Sequence, residues 1–238
     1  TLVLRMHRSY IQNYLEPIQL ALSPSGCERV IHTVQYLLTN ENIWRCCLCI
    51  DFKNAFNELD RAHMLTELFK HNELRSMFPM VNWAYSQPSY LYYKNNNNNN
   101  IVKNDTIMST NGAKQGDTFG SALFCIGIHE LIKDTTAQAI HEPTLIVALA
   151  VADDLYLLGV PSDLIKMYDY IQPEAKSRCG LSIQESKCKF INLMHNHKTA
   201  PKTLSREQTQ LINDRGIPIH TNTASILGTV IGLYDDDI

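Results

Sequence analysis

Two adjacent carboxylates, Asp153 and Asp154, interrupt the apolar run LAVADDLYLLG at 149–159. Side by side they repel, and a divalent cation between them relieves the repulsion. A solvated turn between two strands is the bland alternative, since Asp suits turns well, and for the pair alone that reading stands. A third carboxylate at the same spot changes the balance. Three oxygen ligands without a competing His or Cys cluster suit hard cations such as magnesium. Two such ions about 4 Å apart activate an attacking hydroxyl and stabilise the leaving phosphate oxygen of an in-line displacement. The chemistry in view is nucleotidyl transfer.

The third carboxylate must come from an element that ends where the pair sits. WRCCLCIDF, 44–52, reads as a buried strand ending at Asp51 and Phe52. Downstream, Asp60 is placed to cap a helix through RAHMLTELFKHN, and a second helix is expected over 73–85. SYLYYK and NDTIMST read as strands flanking Asn95–Asn100, a tract that cannot pack a core and is expected to be a loop tip. TFGSALFCIGIHELIKDTTAQAI carries an apolar face throughout and predicts a long buried helix, with Asp117 as its cap. TLIVALAVA and LYLLG follow as strands, then a helix opened by Pro161 and closed by Gly180, then a strand in KCKFINLM. Upstream, SGCERVIHTVQYLLTN at 25–40 shows one helical apolar face.

From residue 44 the order is that of a ferredoxin-like split unit, with an insertion after its first strand. A right-handed helical crossover makes the first two strands of such a unit parallel, so their C-terminal ends share one sheet edge. Asp51 ends one and Asp153 the other, about a hundred positions apart in sequence.

Composition agrees with a globular chain: 238 residues, 45% apolar, formal charge -3. No apolar run is long enough to span a bilayer, and the first residues lack a signal peptide's pattern. The seven cysteines, three of them in one strand, suggest neither a zinc site nor a disulfide framework, and read as reduced thiols of an intracellular protein. The modest net charge hides a basic stretch, residues 176–215, which holds Lys176, Arg178, Lys187, Lys189, Lys198, Lys202, Arg206 and Arg215 against Glu185, Glu207 and Asp214. The chain begins at Thr1, which reads as a piece of a longer product.

IDFKNAF (50–56), GAKQGDTFGSALF (112–124), VADD (151–154), GLSIQESKC (180–188) and ILGTVIG (226–232) occur in this order, and together they resemble the palm motifs of reverse transcriptases. The similarity is greatest to the non-LTR, LINE-like retrotransposon group, and YLEPIQLALSPSGCERVIHTVQYLL resembles that group's segment before the first motif. The resemblance implies an α+β polymerase palm with a ferredoxin-like βαββαβ core, partial helical fingers and no thumb. It divides the chain into partial fingers (1–43), palm (44–193) and the end of the palm with the primer grip (194–238).

The activity implied is RNA-directed DNA polymerisation with two Mg²⁺ ions, Mn²⁺ being a possible substitute. The partners implied are an RNA template, a DNA primer, deoxynucleoside triphosphates and the missing fingers and thumb segments of a parent polyprotein; the setting is a ribonucleoprotein in nucleus or cytoplasm. By the same resemblance Asp51, Asp153, Asp154 and the Phe52 carbonyl hold metal. Phe56 excludes a ribose 2′-hydroxyl, Gln115 and Gly116 meet the incoming nucleotide, Lys187 protonates the leaving pyrophosphate, and Leu227, Gly228 and Gly232 form the primer grip. Without the motif a core aromatic is the preferred reading of position 56, and a surface lysine fits position 187 equally. Thr118 stands where the family usually has proline and Val151 where it often has an aromatic, and an Arg-Pro-Ile-type fingers motif is absent. A catalytically inactive relict that binds nucleic acid is the alternative. A viral RNA-dependent RNA polymerase fits less well, because that group has a second Asp where Phe56 stands and Gly-Asp-Asp at the hairpin.

Overall fold

The computed structural model describes residues 2–39, 45–92, 106–114, 116–139, 146–193 and 203–232. Two helices, α1 (Leu2–Leu15) and α2 (Gly26–Thr39), lead into strand β1 (Cys46–Ile50). Helices α3 (Ala55–Glu58), α4 (Arg61–Lys70) and α5 (Phe78–Tyr85) follow, then β2 (Ser89–Tyr92) and β3 (Thr106–Ser109), which pair antiparallel. Next come α6 (Gly120–Thr136), β4 (Val147–Val151), β5 (Asp154–Gly159), α7 (Pro161–Cys179) and β6 (Lys189–Ile191). The described part ends with α8 (Arg206–Asn213), β7 (Ile219–His220) and the hairpin of β8 (Thr223–Ile226) and β9 (Thr229–Gly232).

The central sheet has the order β4-β5-β1-β6-β7. β5 pairs antiparallel with both β4 and β1, so β4 and β1 run parallel to each other with β5 between them. β1 also pairs antiparallel with β6. These four strands give the expected βαββαβ arrangement. β7 pairs parallel with β6 and was not expected.

Side chains alternate across the strands. Cys46, Leu48, Ile50, Leu155 and Leu157 face a core built with α4, α6 and α7. Cys47, Cys49, Tyr156, Leu158 and Ile191 face a second core with α2 and the β8–β9 hairpin. Both faces are covered, which is why β1 reads as an unbroken apolar run. α6 is deeply buried: Leu123, Phe124, Cys125, Ile126, Ile128, Leu131 and Ile132 are each 1% exposed or less.

Local signals act as expected at several ends. The Asp60 carboxylate accepts the His63 N–H at 2.7 Å and caps α4. Pro161 opens α7, and Gly180 ends it at φ 72°. The helix expected over 73–85 is divided into a 3₁₀ turn at Asn72–Leu74 and α5. Pro79 suits the division, since it falls in the first turn of α5, where its missing N–H leaves no helical hydrogen bond unmade. Asp117 accepts the Phe119 N–H at 3.1 Å and so shapes the turn before α6, whose own N-cap is Phe119. The Asn95–Asn100 tract lies outside the described residues. Among those described, no helix is long and apolar enough to cross a membrane.

Candidate active site

β4 and β5 are joined by a two-residue turn, Ala152–Asp153, with Val151 paired to Asp154. Ala152 lies at φ 55°, the left-handed region that a turn of this kind demands at its first inner residue. Asp154 is therefore already on β5 while Asp153 sits at the tip. On the neighbouring strand Ile50 pairs with Leu155, so the next residue, Asp51, arrives beside Asp154. All three carboxylates occupy one end of the sheet. Asp51 and Asp154 line a cleft of about 220 Å³ together with Tyr156, Lys187, Lys189 and Leu227. Asp153 lies toward α6, where its charge adds to burial in raising the Cys125 thiol.

The electrostatics are those of an anionic cluster only partly compensated by neighbouring lysine. Burial, followed by the charge of Asp51, holds the Asp153 carboxyl above its ordinary range. Burial, Asp153 and Asp51 raise Asp154 in turn, and Lys189 partly opposes them. Among the described residues, no three acidic, histidine or cysteine side chains form a ready-made metal cage. The donor chemistry nonetheless fits a hard divalent cation: the side-chain donors are carboxylate oxygens, and Asp153 and Asp154 are destabilised by neighbouring carboxylates.

Backbone pairing fixes Asp51. The Gln184 N–H donates to the Asp51 carbonyl at 2.9 Å and the Lys53 N–H to the Ser182 carbonyl at 2.8 Å. These bonds flank the Phe52–Ile183 bridge and leave the Phe52 carbonyl outside the ladder, while the Phe52 side chain is buried. The same pairing ties β1 to the 3₁₀ turn Glu185–Lys187.

A second depression, about 240 Å³, is lined by Phe56, Lys114, Gly116, Asp117, Gly120 and Ser121. Phe56 stands on α3, directly after the Asp51 segment. Its backbone carbonyl accepts the Ala113 N–H at 2.7 Å, and the Leu59 carbonyl accepts the Gly112 N–H at 2.8 Å. A side chain at Gly112 would come within 2.2 Å of the Phe56 carbonyl oxygen, so only glycine permits this approach. At Gly116, φ 83°, an added Cβ would meet nothing within 4 Å, so the space above the backbone is open. Gln115 lies outside the described residues.

The β8–β9 turn is Leu227–Gly228, both at positive φ (45° and 76°), as a tight hairpin of primed type requires. Gly232 lies at the end of β9. Lys189 donates to the Ser225 carbonyl at 2.6 Å and thereby joins β6 to this hairpin. Of the other basic residues of 176–215, Arg178 is paired with Asp134 and Arg215 with Asp169. Lys198 and Lys202 lie outside the described residues.

Three residues that sequence reasoning passed over shape the site. Lys189 faces Asp154. Gln19, 1% exposed, is hydrogen-bonded to Ala152 through its side chain. Tyr85 donates to Asp117 and accepts the Lys114 N–H, bracketing the Gly116 loop from both sides. Only Lys189 had a sequence signal, its place within the basic stretch.

Residues 2–231 match the profile of the family described as reverse transcriptase (RNA-dependent DNA polymerase). No curated protein matches the sequence significantly. Among solved structures the fold is similar to apo telomerase from Candida tropicalis truncated from its C-terminal domain, with TM-score 0.62 and 12% identity, covering 97% of this chain and 44% of that one. Apo telomerase from the same organism gives 0.62 and 13%, covering 96% and 39%. The C. tropicalis telomerase in complex with a TWJ fragment of telomeric RNA gives 0.60 and 11%, covering 85% and 35%. The chain thus spans less than half the length of these telomerases, and at such identities the likeness concerns fold alone.

Proposed function

The chain belongs to the reverse transcriptase (RNA-dependent DNA polymerase) family, and from that premise we propose that it carries the polymerising site of an enzyme that adds deoxynucleotides to a primer 3′-hydroxyl on an RNA template. The observation that carries the reading is the meeting of Asp51, Asp153 and Asp154 at one sheet edge. In this reading Asp51 and Asp153, with the Phe52 carbonyl and Asp154, hold two Mg²⁺ ions, for which Mn²⁺ can substitute. When bound, such ions supply Lewis acidity to the attacking hydroxyl and the leaving oxygen.

The remaining roles belong to the chain itself. Phe56 walls the sugar's position and disfavours a 2′-hydroxyl. Gln115 and Gly116 receive the nucleotide, the glycine by letting backbone come close. Lys187, in the cleft with Asp51, donates a proton to the departing pyrophosphate. Leu227, Gly228 and Gly232 support the primer strand from the β8–β9 hairpin. The finer assignment is to the non-LTR, LINE-like retrotransposon group, supported by the Gln-Gly-Asp and Leu-Gly-x-x-Ile-Gly motifs, with partial fingers at 1–43, palm at 44–193 and primer grip within 194–238. Its setting is a ribonucleoprotein in nucleus or cytoplasm. RNA binding is further supported by a structural relative that is solved with a telomeric RNA fragment.

The test is incorporation of deoxynucleotides on a primed RNA template with Mg²⁺, using a chain extended at both ends, against Asp153→Asn. Loss of incorporation in the variant is expected. Incorporation without divalent cation, or full activity in Asp153→Asn, refutes the mechanism. RNA binding without incorporation points to an inactive relict.

A further inference from the structure

The turn that carries Asp153 and Asp154 is held by a side chain 133 residues away in sequence. Gln19 lies in the connection between α1 and α2. Its backbone neighbours pair with β4: the Leu20 N–H donates to the Ala150 carbonyl, and the Ala150 N–H to the Ile18 carbonyl, both at 2.7 Å. Two residues further on, just past the end of β4, the Gln19 carboxamide continues this pairing. Its Nε2–H donates to the Ala152 carbonyl at 2.9 Å, and its Oε1 accepts the Ala152 N–H at 2.8 Å and the Ala21 N–H at 3.3 Å. One side chain acts as an extra peptide unit and takes both backbone groups of the turn's first inner residue.

Three features separate this from ordinary packing. A two-residue hairpin tip usually leaves its inner polar groups to water, whereas here a buried amide takes both backbone groups of Ala152. The residue held is an alanine at φ 55°, a conformation that L side chains rarely adopt and that needs support from its surroundings. The clamp also requires a donor and an acceptor on one planar group, which among buried side chains of this length only glutamine offers. A similar amide clamp recurs at the other hairpin of the cleft: the Gln35 Nε2–H donates to the Gly232 carbonyl at 3.2 Å, and Gln35 Oε1 accepts the Gly232 N–H at 3.3 Å.

We propose that Gln19 is a positioning residue for the catalytic turn: by gripping both backbone groups of Ala152 it fixes the direction in which Asp153 and Asp154 leave the sheet, before cation or nucleotide arrives. The proposal rests on the polymerase reading for its consequence and on the geometry alone for the clamp. Loss of a group that orients metal ligands lowers metal affinity or activity by about 10–100-fold.

The experiment uses the full 238-residue chain as wild type, Gln19→Met, Gln19→Met with Ala152→Gly, and Gln35→Met. Methionine conserves volume and removes both hydrogen bonds. Amide exchange at Ala152 and Gly232 is read without metal, and Mg²⁺ binding is read by calorimetry. In Gln19→Met the Ala152 amide is expected to lose protection while Gly232 keeps it, and half-saturating Mg²⁺ should rise by about 10–100-fold. Adding Ala152→Gly should restore most of the Mg²⁺ affinity, because glycine adopts positive φ unaided. Gln35→Met should release Gly232 and spare Ala152. If Gln19→Met folds only with Ala152→Gly, the clamp is upheld. Unchanged Ala152 exchange, no recovery with the glycine, or failure of both variants to fold overturns the proposal in favour of general packing. If the exchange pattern holds and a chain extended at both ends never polymerises, the polymerase reading is refuted and the clamp is left standing.

Discussion

The ring of Phe56 stacks on that of Phe124, with centroids 4.5 Å apart and planes inclined by 16°. Phe124 is wholly buried in α6, whereas Phe56 is partly exposed and its other side walls the depression beside Gly116. The two readings of position 56, core aromatic and wall of a nucleotide pocket, therefore describe two faces of one ring. Gly116 lines the same depression as this ring, and the Ala113 N–H donates to the Phe56 carbonyl.

Phe56→Ala separates the two faces. Truncation should cost about 2 kcal/mol of folding stability, below the range for a fully buried aromatic because Phe56 is only partly buried. Single-nucleotide kinetics should also show preference for deoxynucleotides over ribonucleotides falling by about tenfold or more, the equivalent of roughly 1.4 kcal/mol. A lower unfolding midpoint with an unchanged preference assigns the ring to the core alone.

Asp153→Asn should abolish incorporation and also stabilise the metal-free chain at neutral pH. The sign follows from the raised carboxyl. Between the ordinary value of 3.8 and the folded-state value, the folded chain binds more protons than the unfolded one. Stability contributed by this group accordingly falls as pH rises through that window, and the cost is fully present above it. Thermal melts without metal should show the variant melting higher than wild type at pH 7, with the gain vanishing below the ordinary carboxylate range. Added Mg²⁺ should raise the wild-type midpoint more than the variant's. A variant that melts lower at pH 7 refutes the electrostatic account.

Lys187 and Lys189 line one cleft but should fail differently. Lys187→Ala removes the proposed proton donor, so kcat should drop by about 10²–10⁴-fold with little change in primer KM. Lys189→Ala breaks the bond to the Ser225 carbonyl and removes the cation that offsets Asp154. Primer KM should rise with kcat less affected, and Mg²⁺ should restore part of the loss. Identical kinetic defects in the two variants would contradict separate roles.

The contrast between these lysines shows where sequence reading reached and where it stopped. The βαββαβ order was legible because apolar runs and their punctuation mark strands and helices, and the handedness of crossovers then brings Asp51 to the Asp153–Asp154 turn. β7 was not legible, since two residues carry no periodicity. Residue 117 had the right type for a cap, yet which N–H it caps depends on the Tyr85 hydroxyl that also holds it. Gln19 left no trace, because a side chain that pairs with a backbone 133 positions away obeys no spacing rule. Lys189 was visible as charge and became specific only when β8–β9 supplied the Ser225 carbonyl.

Gly112→Ala should uncouple the proposed nucleotide loop from the proposed sugar wall. The glycine lies at φ 75°, and a methyl group there would approach the Phe56 carbonyl oxygen to 2.2 Å and the Asn57 backbone to 2.5 Å. Neither neighbour can retreat, because both belong to α3, which leads directly from Asp51. The loop must move instead, breaking the Gly112 bond to the Leu59 carbonyl and straining the Arg61 guanidinium, which donates to the Gly112 carbonyl at 3.0 Å and to the Ser109 carbonyl at 2.9 Å. Arg61 is 5% exposed and cannot recover these bonds from water. A loss of about 2–4 kcal/mol is expected from strain and broken buried hydrogen bonds together. At temperatures where the variant stays folded, KM for the deoxynucleotide should rise while Mg²⁺ affinity, set on the opposite side of Asp51 by the β4–β5 turn, stays near the wild-type value. Equal losses of nucleotide and Mg²⁺ affinity would show that the loop and the turn are not independent.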